Sequence, residues 1–229
     1  MVRTERVMEP LYTLEIDGSV PLSPAAVKAV AALCDRTEDR AGRGLVVVHV
    51  TGAPAGDRPD GLDVSLVTKW ERALRRLERL PAPTVAVAEG ACGGTALDAF
   101  LAADVRVATP DTRLLVPRDT TATWPGMAAY RLVQLAGVAG VRKAVLFGRP
   151  IEAAAALALG IADEIADDPK DALAAAAELT DGLSGQEVAI RRQLLFDAAT
   201  TGFEDALGAH LAACDRTLRQ GAAKEAAAS

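Results

Sequence analysis

The stretch PAPTVAVAEGACGGTALDAFLAADVRVA, Pro81 to Ala108, decides the fold. Its run from Thr84 to Ala88 is built of small and β-branched residues, the composition of a strand covered on both faces. The run ends in a glycine turn, Gly90 to Gly94, that opens into a helix continuing over Leu97 to Ala103. A strand that hands its backbone directly to a helix leaves the first N–H groups of that helix without partners. Glycine and alanine at such a turn let a ligand approach those groups closely. Asp98 follows Thr95 by nearly one turn and is the only carboxylate in the first turns of this helix. Asp104 to Ala108 alternates as a further short strand.

Upstream, Tyr12 to Ile16 alternate apolar and polar before Asp17-Gly18, which gives a first strand and turn. Ser23 as N-cap and Pro24 at the first helical position start a helix that runs to Cys34. Gly44 to Val50 (GLVVVHV) is a continuous apolar run, again a covered parallel strand, and His49 within it reads as a core histidine rather than a base. A loop rich in Gly, Pro and Asp, Thr51 to Val64, leads to an amphipathic helix from about Leu62 to Leu80. Pro81 and Pro83 stop it. Strands and helices therefore alternate, and the preference for right-handed crossovers predicts a mainly parallel sheet with helices on its faces.

Downstream, Thr109 to Trp124 is polar and turn-rich, with Pro110, Pro117 and Asp119, and is expected to line a pocket. Helical patterns follow over Gly126 to Ala136, Val138 to Leu146 and Glu152 to Leu159, the last closed by Gly160 before a short strand, Ile161 to Ile165. Asp171 to Asp181 and Glu187 to Leu218 read as C-terminal helices, the second interrupted near Thr200 to Gly202, and the tail GAAKEAAAS is expected to fray. The division that results is a core domain, residues 1–165, and a C-terminal helical extension, residues 166–229.

Aromatics make up only 3% of the chain against 50% hydrophobic residues overall, so the interior is expected to consist of closely approaching helices with small side chains. The net charge of −6 is carried by dispersed residues with no basic tract, which argues against nucleic acid. Cys34, Cys92 and Cys214 are too scattered for a disulfide framework or a zinc knuckle, and a reducing cytoplasm is the expected setting. With His49 and His210 as the only histidines, histidine-rich metal sites are excluded. The start MVRTERVMEP lacks the apolar core of a signal peptide, and no uncharged apolar run reaches the ~18 residues of a membrane span.

Three strings, in this order of elements, resemble the crotonase family, the enoyl-CoA hydratase/isomerase superfamily. GLVVVHVTGAP followed by Asp60-Gly61-Leu62-Asp63 is similar to that family's first loop. The Pro81–Ala108 stretch is similar to its signature: an apolar strand, a glycine cluster, an acidic residue, then Asp-hydrophobic-Arg. VLFGRPIEAAAALALGIADEI, Val145 to Ile165, is similar to its segment centred on Gly-Arg-x-Ile. The resemblance covers Tyr12 to Ile165. It implies an α/β crotonase fold of repeated β-β-α and β-α-β units with a C-terminal helical extension, and an acyl-CoA thioester as substrate. No metal or redox cofactor is implied beyond the coenzyme A of that substrate.

The family binds the thioester oxygen of an acyl-CoA with two backbone N–H groups and so stabilises an enolate. Carried over residue by residue, these donors fall on Leu62 and Thr95, flanked by Gly61 and Gly94 as substrate-binding positions. Losing one such donor costs ~3–4 kcal/mol of transition-state stabilisation. Hydratases of the family use two glutamates as paired acid and base. The first falls on Asp98, which stays a carboxylate one methylene shorter. The second falls on Arg118, which cannot exchange a proton near neutral pH, so the two-carboxylate mechanism is not expected here. Asp98 reads as a general acid/base or as a helix-stabilising acid, and its match to the family's carboxylate favours the former. Arg118 reads either as a binder of an enolate or polyketide oxygen or as a partner of Asp119 or Asp98.

Cys92 stands at an ordinary small-residue position, where packing is expected. Trp124, Tyr130 and the threonines from Thr120 to Thr123 fall where the family shapes its acyl pocket, with core packing the competing reading for Trp124. Arg72, Arg75 and Arg76 read as a solvated face in preference to a site for CoA phosphates. The short length, missing second carboxylate and alanine-rich composition resemble small crotonase-like proteins that act with a type III polyketide synthase in making 3,5-dihydroxyphenylacetyl-CoA. That narrower resemblance implies dehydration and aromatisation of a polyketide thioester, or else a non-catalytic partner of the synthase. Family members assemble as trimers or paired trimers, which makes Glu187 to Leu218 the expected interface.

Overall fold

A computed structural model describes residues 12–40, 44–56, 62–118, 124–180, 183 and 185–228. Its central strand, β3 (Thr84–Gly93), takes neighbours on both edges. With β1 (Tyr12–Asp17), β2 (Val46–Gly52), β4 (Val105–Ala108) and β7 (Glu164–Ile165) it forms a sheet in the order β1-β2-β3-β4-β7, every adjacent pair parallel. The crossovers are α1 (Pro24–Asp39), α2 (Val64–Leu77) and α3 (Thr95–Leu101). Two of these helix starts are capped by side chains. Ser23 accepts from the Ala26 N–H at 3.3 Å and Asp63 from the Leu66 N–H at 2.6 Å.

The glycine turn expected at Gly90 to Gly94 is largely strand, because β3 runs on to Gly93. Beyond a register shift after Thr51 its Cys92 still pairs with Gly52 of β2, while Ala91–Gly93 also pair with β5 (Arg113–Leu115), which in turn pairs antiparallel with β6 (Ile151–Glu152). Both short strands lie where the sequence suggested loop or helix, since two or three residues are too few to show a period. Helix α4 (Ala128–Phe147) breaks at Gly137, where two helices were expected, and α5 spans Ala153–Ala158. Helices α6 (Pro169–Thr180), α7 (Gly185–Ala198) and α8 (Phe203–Ala228) complete the chain. The tail expected to fray continues α8 to Ala228.

Alternation along the strands sorts the core into two layers. Val46, Val48, Val50, Ala86 and Ala88 face α1, α2 and α3, where Trp70, Leu74 and Phe100 are fully buried. Leu45, Val47, Val85, Val87 and Val107 face α6 through Ala172, Ala176 and Ala177. Helix α6 thus covers the second face of the sheet although it lies beyond residue 165. His49 is only half-buried, in contrast to its expected place in the core.

One side chain ties α7 to this core. The Arg192 guanidinium donates to both carboxylate oxygens of Asp104 at 2.6 Å and to the carbonyl oxygens of Leu80 at 2.5 Å and Ala82 at 3.0 Å. Asp104 also accepts from the Thr84 N–H at 2.9 Å, which fixes the start of β3. Arg192→Ala should lower the unfolding free energy by about 3 kcal/mol, typical of breaking a largely buried pair. Arg191→Ala, which removes an exposed i,i+4 pair with Glu187, should cost no more than about 0.5 kcal/mol. Urea unfolding followed by circular dichroism measures both.

Candidate active site

Gly94 turns the chain from β3 into α3 with φ 55° and ψ −128°, and a Cβ there would lie 2.9 Å from Pro54 Cγ. Only glycine accepts both conditions. The helix that follows is buried along its whole length, from Thr95 through Asp98 to Leu101. Thr95, as first residue of α3, and Leu62, just before the N-cap Asp63, face a cavity of about 260 Å³. Asp98, Gly94 and Trp124 line the same cavity, so the structure brings together all but two of the expected site residues. Gly61 lies outside the described residues, as do Asp119 and Thr120 to Thr123. Arg118 is described, but it is exposed, with its side chain stem along Gly148, and it lines no part of the cavity. Tyr130 is 54% exposed and likewise stands away from it.

Several lining groups were not anticipated from sequence. The turn from Gly18 to Leu22 closes one wall, and Trp70 of α2 closes another. A buried indole needs an acceptor for its N–H. Trp70 Nε1 donates to Asp98 Oδ2 at 3.1 Å, the only hydrogen bond to this carboxyl among the described residues. Asp98 is also the only ionisable group among the described residues lining the cavity. A wider recess of about 570 Å³ shares Leu62 and Pro125 with it and has Arg72 and Arg75 at its edge. Arg76 instead pairs with Asp35 and Glu38, away from both.

Burial pushes Asp98 up to about 7, the nearby negative charge of Glu71 adds to the rise, and the Trp70 N–H and the Arg131 charge oppose it. Such a carboxyl is held between its two protonation states near neutral pH, where proton exchange is most useful. Cys92, by contrast, is buried with its Sγ 3.4 Å from the Val50 carbonyl oxygen, and burial pushes the thiol up to about 12. It packs as expected and supplies no thiolate.

The shift of Asp98 has a consequence for stability. The folded chain keeps this proton to about pH 7, whereas an unfolded aspartate releases it near pH ~3.9. Between those values folding takes up a proton, so this group's contribution turns unfavourable as pH rises through them. From pH 4 to pH 8 Asp98→Asn should gain roughly 4 kcal/mol relative to the wild type, at about 1.36 kcal/mol per pH unit. Chemical unfolding of both proteins at the two pH values checks the sign and size.

A sequence profile for enoyl-CoA hydratase/isomerase matches residues 57–227. A relative from Amycolatopsis orientalis, called enoyl-CoA-hydratase, is 58% identical over 207 residues, covering 90% of this chain and 95% of the relative. Among solved structures, an enoyl-CoA hydratase/isomerase from Marinobacter aquaeolei aligns with a TM-score of 0.75 at 18% identity, covering 90% of this chain and 88% of that one. An enoyl-CoA hydratase from Shewanella pealeana aligns with a TM-score of 0.72 at 16% identity, covering 90% of this chain and 80% of that one. At such identities these structures speak to the fold, which is the crotonase-like α/β fold, while the profile and the close relative speak to descent. The chain belongs to the enoyl-CoA hydratase/isomerase family.

Proposed function

We propose that this chain is a lyase acting on an acyl-CoA thioester, with the N–H groups of Leu62 and Thr95 donating to the thioester oxygen and Asp98 moving the proton. The observation that carries this reading is a single buried carboxyl, Asp98, lining the same cavity as Leu62 and Thr95 with no second carboxylate among the described residues that line it. Hydration of an enoyl thioester by paired residues divides one water between an acid and a base. A lone carboxyl serves the same equilibrium by acting twice in succession, written here in the direction of elimination from a 3-hydroxyacyl thioester. As carboxylate it takes the proton from the carbon next to the thioester carbonyl, and the enolate charge is met by the two N–H donors. Now protonated, it gives that proton to the 3-hydroxyl, which leaves as water while the enolate electrons close the carbon–carbon double bond.

Within this class, we favour a polyketide thioester on the way to 3,5-dihydroxyphenylacetyl-CoA, where loss of water leads to an aromatic ring. Support comes from the site residues that replace the hydratase pair and from the wider recess next to the cavity, which gives room for a bulky acyl group and is lined in part by Arg72 and Arg75. The second reading is a non-catalytic partner of a type III polyketide synthase. What favours it is Arg118, which takes the second carboxylate's place in the linear pattern and does not reach the cavity. Exposed Leu195, Phe203, Leu211 and Leu218 on α7 and α8 support assembly into a trimer or hexamer through these helices. None of the described helices is long and apolar enough to cross a membrane.

Asp98→Asn should slow elimination of water from a 3-hydroxyacyl-CoA by about 10²–10⁴-fold, the usual contribution of a general acid/base, while binding of the thioester, followed by tryptophan fluorescence, persists. Added to the synthase, the variant should fail to raise the yield of aromatic product. Full assistance by the variant would favour the partner reading over the enzyme. Light scattering that gives a monomer would count against assembly through α7 and α8.

A further inference from the structure

One buried carboxyl that must both take and return a proton needs a surrounding charge that holds it between the two states. The groups that face Asp98 come from α2 and α4. Glu71 and Asp98 flank one glycine: a Cβ on Gly126 would lie 3.4 Å from Asp98 Oδ2 and 3.7 Å from Glu71 Oε1. Glu71 is not free to swing. Its Oε1 accepts from the Met127 N–H at 2.9 Å, and its Oε2 is 2.9 Å from Arg131 Nη1. Arg131 in turn donates from Nε to Glu78 Oε1 at 2.6 Å, and Glu78 Oε2 accepts from Arg75 at 2.7 Å.

The charges of this chain of contacts can be counted. Two guanidinium groups, Arg131 and Arg75, offset two carboxylates, Glu71 and Glu78. Asp98 is left over, with the Trp70 N–H as its donor, and Glu71 is the nearer negative charge. Among the described residues, no charged group of the strands beneath α3 bears on it. Glu71 lines the wider recess and not the cavity that holds Asp98, so it does not stand where the thioester would react.

We infer that Glu71 is a positioning residue: clamped by the Met127 N–H and Arg131, it fixes a negative charge beside Asp98 so that this one carboxyl serves as both base and acid. The inference rests on the proposed role of Asp98 as the proton carrier. It accounts for how elimination proceeds without a second carboxylate in the cavity, and it places the supporting charge in a residue of α2 that contributes through space. Glu71 pushes Asp98 toward its neutral form against the opposing Trp70 N–H and Arg131 charge. Removing the charge of Glu71 also frees Arg131 to favour the ionised form, and both effects make Asp98 a weaker base.

The test uses Glu71→Gln, which keeps the size of the side chain and an oxygen for the Met127 N–H, and Glu71→Asp, which keeps the charge. Elimination from a 3-hydroxyacyl-CoA should rise with pH in the wild type. In Glu71→Gln the midpoint of that rise should fall by about one pH unit, as for removal of a like charge next to a buried carboxyl, and the plateau rate should drop several-fold. Glu71→Asp should keep the midpoint near that of the wild type. A lower rate with an unmoved midpoint in Glu71→Gln would reduce Glu71 to a structural role and overturn the inference.

A readout without turnover separates this from the role of Asp98 itself. Trp70 and Trp124 are the only tryptophans, so a Trp124→Phe protein reports Trp70 alone, hydrogen-bonded to Asp98. Its fluorescence should step with the ionisation of Asp98, lose the step in Asp98→Asn, and move the step down in Glu71→Gln. If Asp98→Asn retains full turnover while this step still moves, the charge coupling stands and only the catalytic role of Asp98 falls. If Glu71→Gln does not fold, the wild-type titration decides, and the absence of any step between pH 5 and pH 9 overturns the inference.

Discussion

Everything at the cavity depends on the backbone passing from β3 into α3 at a single residue. Gly94 does so with a positive φ and with Pro54 packed against the place a side chain would take. The strand that delivers it is held on both edges by parallel neighbours, so the N–H of Thr95 inherits the position of the most fixed part of the sheet. A helix as short as Thr95–Leu101 would not be stable on its own. Burial of all its residues holds it in place. Site geometry is therefore a property of the core, and a change in the packing of β3 would be felt at Asp98 before it was felt at the surface.

Placing a carboxyl on such a helix carries an energetic penalty. One indole N–H and a neighbouring guanidinium offset part of the desolvation, and Glu71 works against them. A fold selected only for stability would put an apolar residue at this point or complete the pairing. Instead the counter-charges of Arg131 and Arg75 are taken up by Glu71 and Glu78. A buried carboxyl whose titration is displaced by burial and a neighbouring like charge is the usual mark of a functional site. Elsewhere the buried charges are paired in full, as Arg192 and Arg106 show by bonding to carboxylates and carbonyl oxygens together.

The strands and helices that position the site were legible because each carries its own local signal. Thr84 to Ala88 reads as a covered strand, Ser23-Pro24 as a helix start, and Gly94-Thr95 as the passage between the two. Thr95 and Asp98 followed from the match of Pro81–Ala108 to a known pattern and Leu62 from that of the loop Asp60-Gly61-Leu62-Asp63, and the cavity unites them. What was not legible depends on partners distant in sequence. β5 forms on the edge that Ala91–Gly93 offers, and β6 forms in turn on β5. Trp70 and Glu71 sit in an arginine-rich amphipathic helix, where adjacent residues look alike until packing separates the one that reaches Asp98 from the one that meets Arg131. Arg118 illustrates the reverse. Its place in a linear pattern suggested the pocket, but the chain after Pro117 carries its side chain toward Gly148.

On the proposed reading, a lone carboxyl also restricts the stereochemistry of the reaction. Two carboxylates on opposite sides of a substrate reach a proton and a leaving hydroxyl independently of each other. A single carboxyl on a rigid helix reaches both only if they lie on the same face of the bond that becomes double. Its oxygens must then meet the α-hydrogen and the β-oxygen in turn, without passing the substrate. Burial of α3 leaves the side chain of Asp98, one methylene shorter than glutamate, little freedom to do otherwise. On that reading elimination from this site is a same-face process, and the α-hydrogen lost is the one on the side of the departing hydroxyl.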